Sequence, residues 1–226
     1  DRPAIAQKLL ARRKSAMLRI RDHRVDDYTV LRNIGTTDVG VLRDGDRACL
    51  DEIGQFLVLH DAWHRFAIWL LHKYFDPAPG EVLVERVISS GREMETTPLA
   101  RSVIQAGGLM MTGMRFDDSV GPGVGVIGME FAGSSQCGPA RPVIDDDEAV
   151  LIGIAERLRA HEKTDRFGVR LIRDPLGVTD RELLVESADT AHRTVHYKVA
   201  GRTDIRQGDT VIETTWQWKP VGRSRH

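Results

Sequence analysis

Cysteine is almost missing from this 226-residue chain: Cys49 and Cys137 are the only two, and they have no CxxC spacing. A disulfide framework is therefore excluded, and a reducing cytoplasm is the expected compartment. No apolar stretch reaches the ~18 residues that a helix needs to cross a bilayer, and the first twenty residues lack the apolar centre of a secretory signal. Charge of one sign is also lacking, since 32 basic residues meet 33 acidic ones for a formal net charge of −1. Without an overall positive field, nucleic acid is not an expected partner. Neither a low-complexity linker nor an internal repeat stands out on inspection. At 41% hydrophobic, the chain suffices for one full-sized core, and residues 1–226 are read as a single α+β domain.

Against those absences stand histidines, eight of them. Three fall in LHDAWHRFAIWLLHKYF (59–75), a run otherwise rich in large apolar residues. The pattern predicts a long helix over about 46–75, with Asp46 as N-cap and the prolines of DPAPG (76–80) as its stop. At 100° per residue, His60 and His64 fall among Ile53, Phe56, Leu57, Trp63, Ala67 and Leu71, while His72 lies at the polar margin. An i,i+4 histidine pair is the spacing with which a helix supplies two metal ligands. A neutral-range imidazole facing a core can also serve as general acid or base without metal. The competing reading is that both rings only fill space and satisfy a carbonyl.

Other elements follow from pattern. Residues 1–24 predict a basic N-terminal helix, read as a solvated face or a subunit contact. Residues 81–133 predict strands, with a short helix within 96–108. Residues 145–163 predict a helix with capping acids first and basic residues last. Residues 167–219 predict an antiparallel meander. The expected architecture is that meander packed against two or three helices around the long central one.

Further candidates attach to this scheme. Glu85 on a strand and Cys137 in the loop AGSSQCGPARP would complete a catalytic set with His60 and His64. His196 would be a third metal ligand. In HRTVHYKVAG, His192, Thr194 and His196 share one strand face and Val195, Tyr197 and Val199 the other. If the polar face lined a pocket, Glu186, Glu213, Thr215 and Gln217 would be its partners. Trp216 and Trp218 could wall a flat ligand or belong to a core. GVGVIG (123–128) matches GxGxxG literally, but its glycines lie inside a strand pattern, which argues against a dinucleotide site.

The leading functional expectation is a small-molecule enzyme with a histidine-based site, metal-binding or acid/base, between the long helix and the sheet. Zinc or iron is the metal that site would take. The alternative is a non-catalytic ligand-binding or sensory domain for haem or another flat apolar ligand. A structural or partner-binding protein, including a homo-oligomer, is the third.

Overall fold

The computed structural model describes residues 18–21, 24, 26–35, 38–88, 92–102, 108–118, 123–133, 147–204 and 212–220. The elements run β1 (Leu18–Arg21), α1 (Asp26–Thr29), α2 (Asp44–Leu59), β2 (Phe66–Leu70), β3 (Glu81–Ile88), β4 (Glu93–Ala100), β5 (Leu109–Asp117), β6 (Val124–Gly133), α3 (Glu148–Ala160), β7 (Phe167–Leu171), β8 (Glu182–Asp189), β9 (Thr194–Gly201) and β10 (Thr215–Trp216). All ten strands join one mixed, curled sheet in the order β10-β2-β7-β5-β6-β3-β4-β9-β8, with β1 paired parallel to β6. None of the helices among the described residues is long and apolar enough to cross a membrane.

The long helix expected over 46–75 does not form. α2 stops at Leu59, and its end is built from backbone: Ala62 N–H reaches the Leu57 carbonyl at 2.8 Å and Asp61 N–H the Val58 carbonyl at 3.2 Å. Asp61 takes φ 52°, the left-handed residue such an ending requires. Phe66–Leu70 then runs as a strand buried at all five positions. A strand covered on both faces reads as a continuous apolar run, and such a run carries no period to separate it from a buried helix. The expected helix in 1–24 meets a strand at Leu18–Arg21, residues 1–17 lying outside the described set. The helix expected within 96–108 overlaps β4. The meander is corrected too: β7 pairs with β2 and β5, and among the described residues β8 pairs with β9 alone.

One sheet face carries Phe66, Ile68, Leu70, Met114, Phe116, Phe167, Val169 and Leu171 against Cys49, Ile53 and Leu57 of α2 and Leu151, Ile154 and Leu158 of α3. The other face curls inward around Tyr28, Leu31, Trp69, Leu71, Leu83 and Met129. It continues to Met94, Val195 and Tyr197.

The reading that the sequence holds no internal repeat is also corrected: the described elements are duplicated. β3 and β8, and likewise β4 and β9, begin at positions 101 residues apart and have equal lengths. The same displacement relates Leu50, Ile53, Leu57, His60, Arg65, Phe66 and Leu70 to Leu151, Ile154, Leu158, His161, Arg166, Phe167 and Leu171. It also relates the two helix endings: Lys163 N–H reaches the Leu158 carbonyl at 2.7 Å, with Glu162 at φ 55°. Register partners separated by that distance, Ile68 with Val169 and Glu95 with His196, mark a pseudo-twofold axis through the β2–β7 and β4–β9 pairings.

Ion pairs obey the axis and cross between the repeats. Asp46 holds Arg166 at 3.0 Å, as Asp147 holds Arg65. Glu81 holds Arg193 at 2.5 Å, as Glu182 holds Arg92 at 2.6 Å. One place breaks the symmetry: β6 lies between β5 and β3, whereas no strand among the described residues lies between their counterparts β10 and β8.

Candidate active site

The inward face of the sheet is charged at its centre. Register aligns Ala67, Arg170, Gly113, Glu130 and Leu83 in one row across β2, β7, β5, β6 and β3. Arg170 and Glu130 are two strands apart, and they meet in an ion pair because Gly113 between them has no side chain. A Cβ on Gly113 would stand 3.2 Å from the Trp69 ring and 3.3 Å from Glu130 Cβ. The Arg170 guanidinium also donates to Glu85 at 2.8 Å and lies over the Trp69 ring, 5.3 Å from its centroid. Glu85 is further paired with Arg173 and accepts the Thr112 hydroxyl at 3.1 Å.

Glu186 is the counterpart of Glu85 in the second repeat, and His72 is the counterpart of Arg173. Glu186 accepts the Tyr74 hydroxyl at 3.0 Å and the Thr214 hydroxyl at 3.0 Å. His72 Nε2 faces it at 3.6 Å while Nδ1 lies 2.8 Å from the Leu70 carbonyl. Both ring nitrogens thus face oxygen atoms.

Burial works on every group here. It pushes Glu186 up, but the contact with His72, the charge of Arg170 and the Tyr74 hydroxyl outweigh it and hold the carboxyl down at about 2. For Glu130 burial prevails: its carboxyl is pushed up, with the Glu186 charge adding to the effect and Arg170 opposing it. Burial likewise pushes the Tyr28, Tyr74 and Tyr197 hydroxyls up and brings Arg173 down to about 10. Two carboxyls in one enclosure are therefore driven in opposite directions, the condition under which one serves as acid and the other as a fixed anion. Next to both is a free space of about 20 Å³, bordered by Tyr28, Trp69, His72, Tyr74, Glu130 and Glu186. That is room for a water.

The sequence-derived candidates are distributed differently. Glu85 belongs to the charged centre. His60 is the exposed cap of α2, its ring 4.4 Å from that of Phe56, and His161 caps α3 in the same way. His64 is exposed in the turn before β2. His196 points away from the enclosure, because the inward residues of β9 are Val195 and Tyr197. Glu186 faces Tyr197 across the β8–β9 ladder, so the apolar face of that strand lines the enclosure, not the histidine face. Trp216 meets Phe167 edge-on at 5.7 Å and Trp218 lies against Gly54 of α2; both pack on the helix side of the sheet. Cys137 lies outside the described residues. Among the described residues no three His, Cys, Asp or Glu side chains form a group that would hold a metal.

Sequence reading missed His72, Tyr74, Glu130, Arg170 and Arg173 as one cluster. The signal that could have found them is the displacement of 101 residues, which superposes His72 on Arg173 and Glu85 on Glu186. Compared with protein-family models, curated proteins and solved structures, the chain matches none.

Proposed function

We propose that the protein is a small-molecule enzyme of the acid–base type whose reacting groups are Glu130, Glu186 and His72 inside the curled sheet. One observation carries the reading. Of two carboxylate–cation pairs related by the pseudo-twofold axis, Glu85–Arg173 is closed by a permanently charged guanidinium and by Thr112. Its counterpart, Glu186–His72, has a titratable ring in place of the arginine and opens on the free space. An ion pair kept only for folding has no need of a side chain that can both carry and release a proton.

In this scheme Glu130 exchanges a proton with the substrate: burial favours its neutral form and the Arg170 guanidinium its carboxylate, so neither state is locked. Glu186 and His72 then stabilise charge or take a proton back, and Tyr74 orients Glu186. The free space fits a water, and Lys73 and Phe75 are also among its lining residues, so a substrate's reacting end enters only as that lining gives way. The closeness of that space favours a second reading, a charged core that binds a small polar ligand without turnover.

The test is His72→Arg, which writes the arginine of the first repeat into the second. The protein is incubated with a small-molecule extract of cells, and substrates are identified by mass spectrometry as compounds consumed over time. Wild-type protein is expected to consume at least one compound. Glu130→Gln and His72→Arg are expected to lose at least 100-fold of that rate with melting temperatures retained. Turnover by His72→Arg at the wild-type rate would exclude the reading, and a ligand retained without turnover would select the second one.

A further inference from the structure

The broken symmetry of the sheet has a definite shape. In the first repeat β6 lies between β5, to which it is antiparallel, and β3, to which it is parallel. It covers β3 so well that Leu83 and Val84 are 7% and 3% exposed. Their counterparts on β8, Leu184 and Val185, are each 42% exposed. Among the described residues β8 has a ladder partner only in β9, and β10 only in β2. Yet the gap between β8 and β10 keeps the width of a strand. In the first repeat, Glu85 and Thr112 meet across β6, above Ala132, which is the register partner of Glu85. In the second, Glu186 and Thr214 meet in the same way, Oγ1 to Oε1 at 3.0 Å, with no described strand beneath them.

We infer that the gap between β8 and β10 is a strand-docking site that receives an extended apolar segment of a partner polypeptide, parallel to β8 and antiparallel to β10. The β3–β6–β5 interface is already built once in this chain, and the axis repeats its two outer members at β8 and β10. β6 therefore states the chemistry of the occupant. N–H and C=O groups along two edges that have no ladder partner among the described residues supply main-chain hydrogen bonds, and apolar side chains cover Leu184 and Val185. Opposite Glu186 the occupant carries a small residue, as Ala132 stands opposite Glu85, because the Glu186–Thr214 bridge closes over that position. Opposite Leu184 it is uncharged: Glu130 in β6 finds Arg170, but the residue equivalent to Arg170 in the other repeat is Trp69. This inference is independent of any chemistry inside the sheet.

The probe is a ten-residue peptide of the Val124–Gly133 sequence carrying Glu130→Gln, added to the full chain. Amide hydrogen exchange across residues 182–189 is expected to slow at least tenfold at saturating peptide. The same peptide with Trp at the Ala132 position, or the protein variant Leu184→Asp, is expected to weaken binding at least tenfold. Leu184 is exposed, so that variant retains the fold. Unchanged exchange on β8, or protection confined to β3 and β5 as when the peptide displaces β6, would overturn the inference. So would protection of β8 that rises with protein concentration and without peptide, since a second copy would then be the occupant.

Discussion

A carboxyl held down inside a protein leaves a signature in its acid stability. Glu186 stands at about 2, below the 4.5 of an ordinary glutamate. Because its folded-state value lies below the unfolded one, its contribution is complete above pH ~4.5 and lost as pH falls toward 2. That shift corresponds to about 3 kcal/mol. Urea unfolding of wild type is expected to lose about that amount across this window, and Glu186→Gln is expected to start lower at pH 7 and lack that part of the slope. A variant with the wild-type acid limb would show that Glu186 is not the anchored carboxylate. Glu130 works in the opposite sense. Its folded-state value is raised, so its favourable contribution is present below the unfolded value and disappears as pH rises through the folded one. Glu130→Gln is accordingly expected to be at least as stable as wild type at pH 7, with the advantage closing below pH ~4. Melting temperatures at the two pH values decide it.

Helix starts are tied across the duplication, and the ties are buried. Asp147 and Arg65 have side chains 3% and 11% exposed, Asp46 and Arg166 1% and 17%. Removing one partner of such a pair leaves an uncompensated buried charge, at a cost of about 3 kcal/mol. Asp46→Asn and Asp147→Asn are each expected to lose that much by urea unfolding, and the double variant to lose the sum within about 0.5 kcal/mol, since the pairs share no member. β7 carries a different constraint: a Cβ on Gly168 would stand 2.4 Å from the Met114 carbonyl oxygen of β5, where only backbone movement gives relief. Gly168→Ala is expected to cost about 2 kcal/mol or more.

These elements also show what the chain revealed in advance. α3 and the strands β3, β5, β6, β8 and β9 were legible, because each has one period and a marked boundary. The stretch 59–75 was not. Its apolar residues satisfy a helical face and a doubly buried strand equally, and the residue that ends α2 is an aspartate at positive φ where glycine is the usual signal. His60 looked like a face-centred ligand for the same reason, yet it and His161 are helix caps. Glu85 was named as a partner for the helix histidines, and its neighbours are instead Arg170, Arg173 and Thr112. Its counterpart Glu186 entered only as a partner of the His192 and His196 face, whereas register sets it beside Tyr197 on the opposite one.

Duplication and closure together set how the molecule unfolds. The β2–β7 and β4–β9 ladders join the repeats at two places, and four ion pairs of two kinds cross between them. The two helices share one apolar core with strands of both repeats. Neither repeat encloses a core alone, so a separable half would leave buried carboxylates and arginines without partners. Unfolding is therefore expected as one transition. Calorimetric and van't Hoff enthalpies should agree, and tryptophan fluorescence should report the same midpoint as far-ultraviolet circular dichroism. Trp63 and Trp69 belong to the first repeat and Trp216 and Trp218 to the second, so replacing either pair with phenylalanine gives a probe confined to one half. If the two probes part by more than a few degrees, the repeats are thermodynamically independent, and the crossing ion pairs have been given too much weight. If they coincide, the loss of any one crossing pair lowers both halves equally. The residues of the charged enclosure, drawn from both repeats, then persist or vanish as a set.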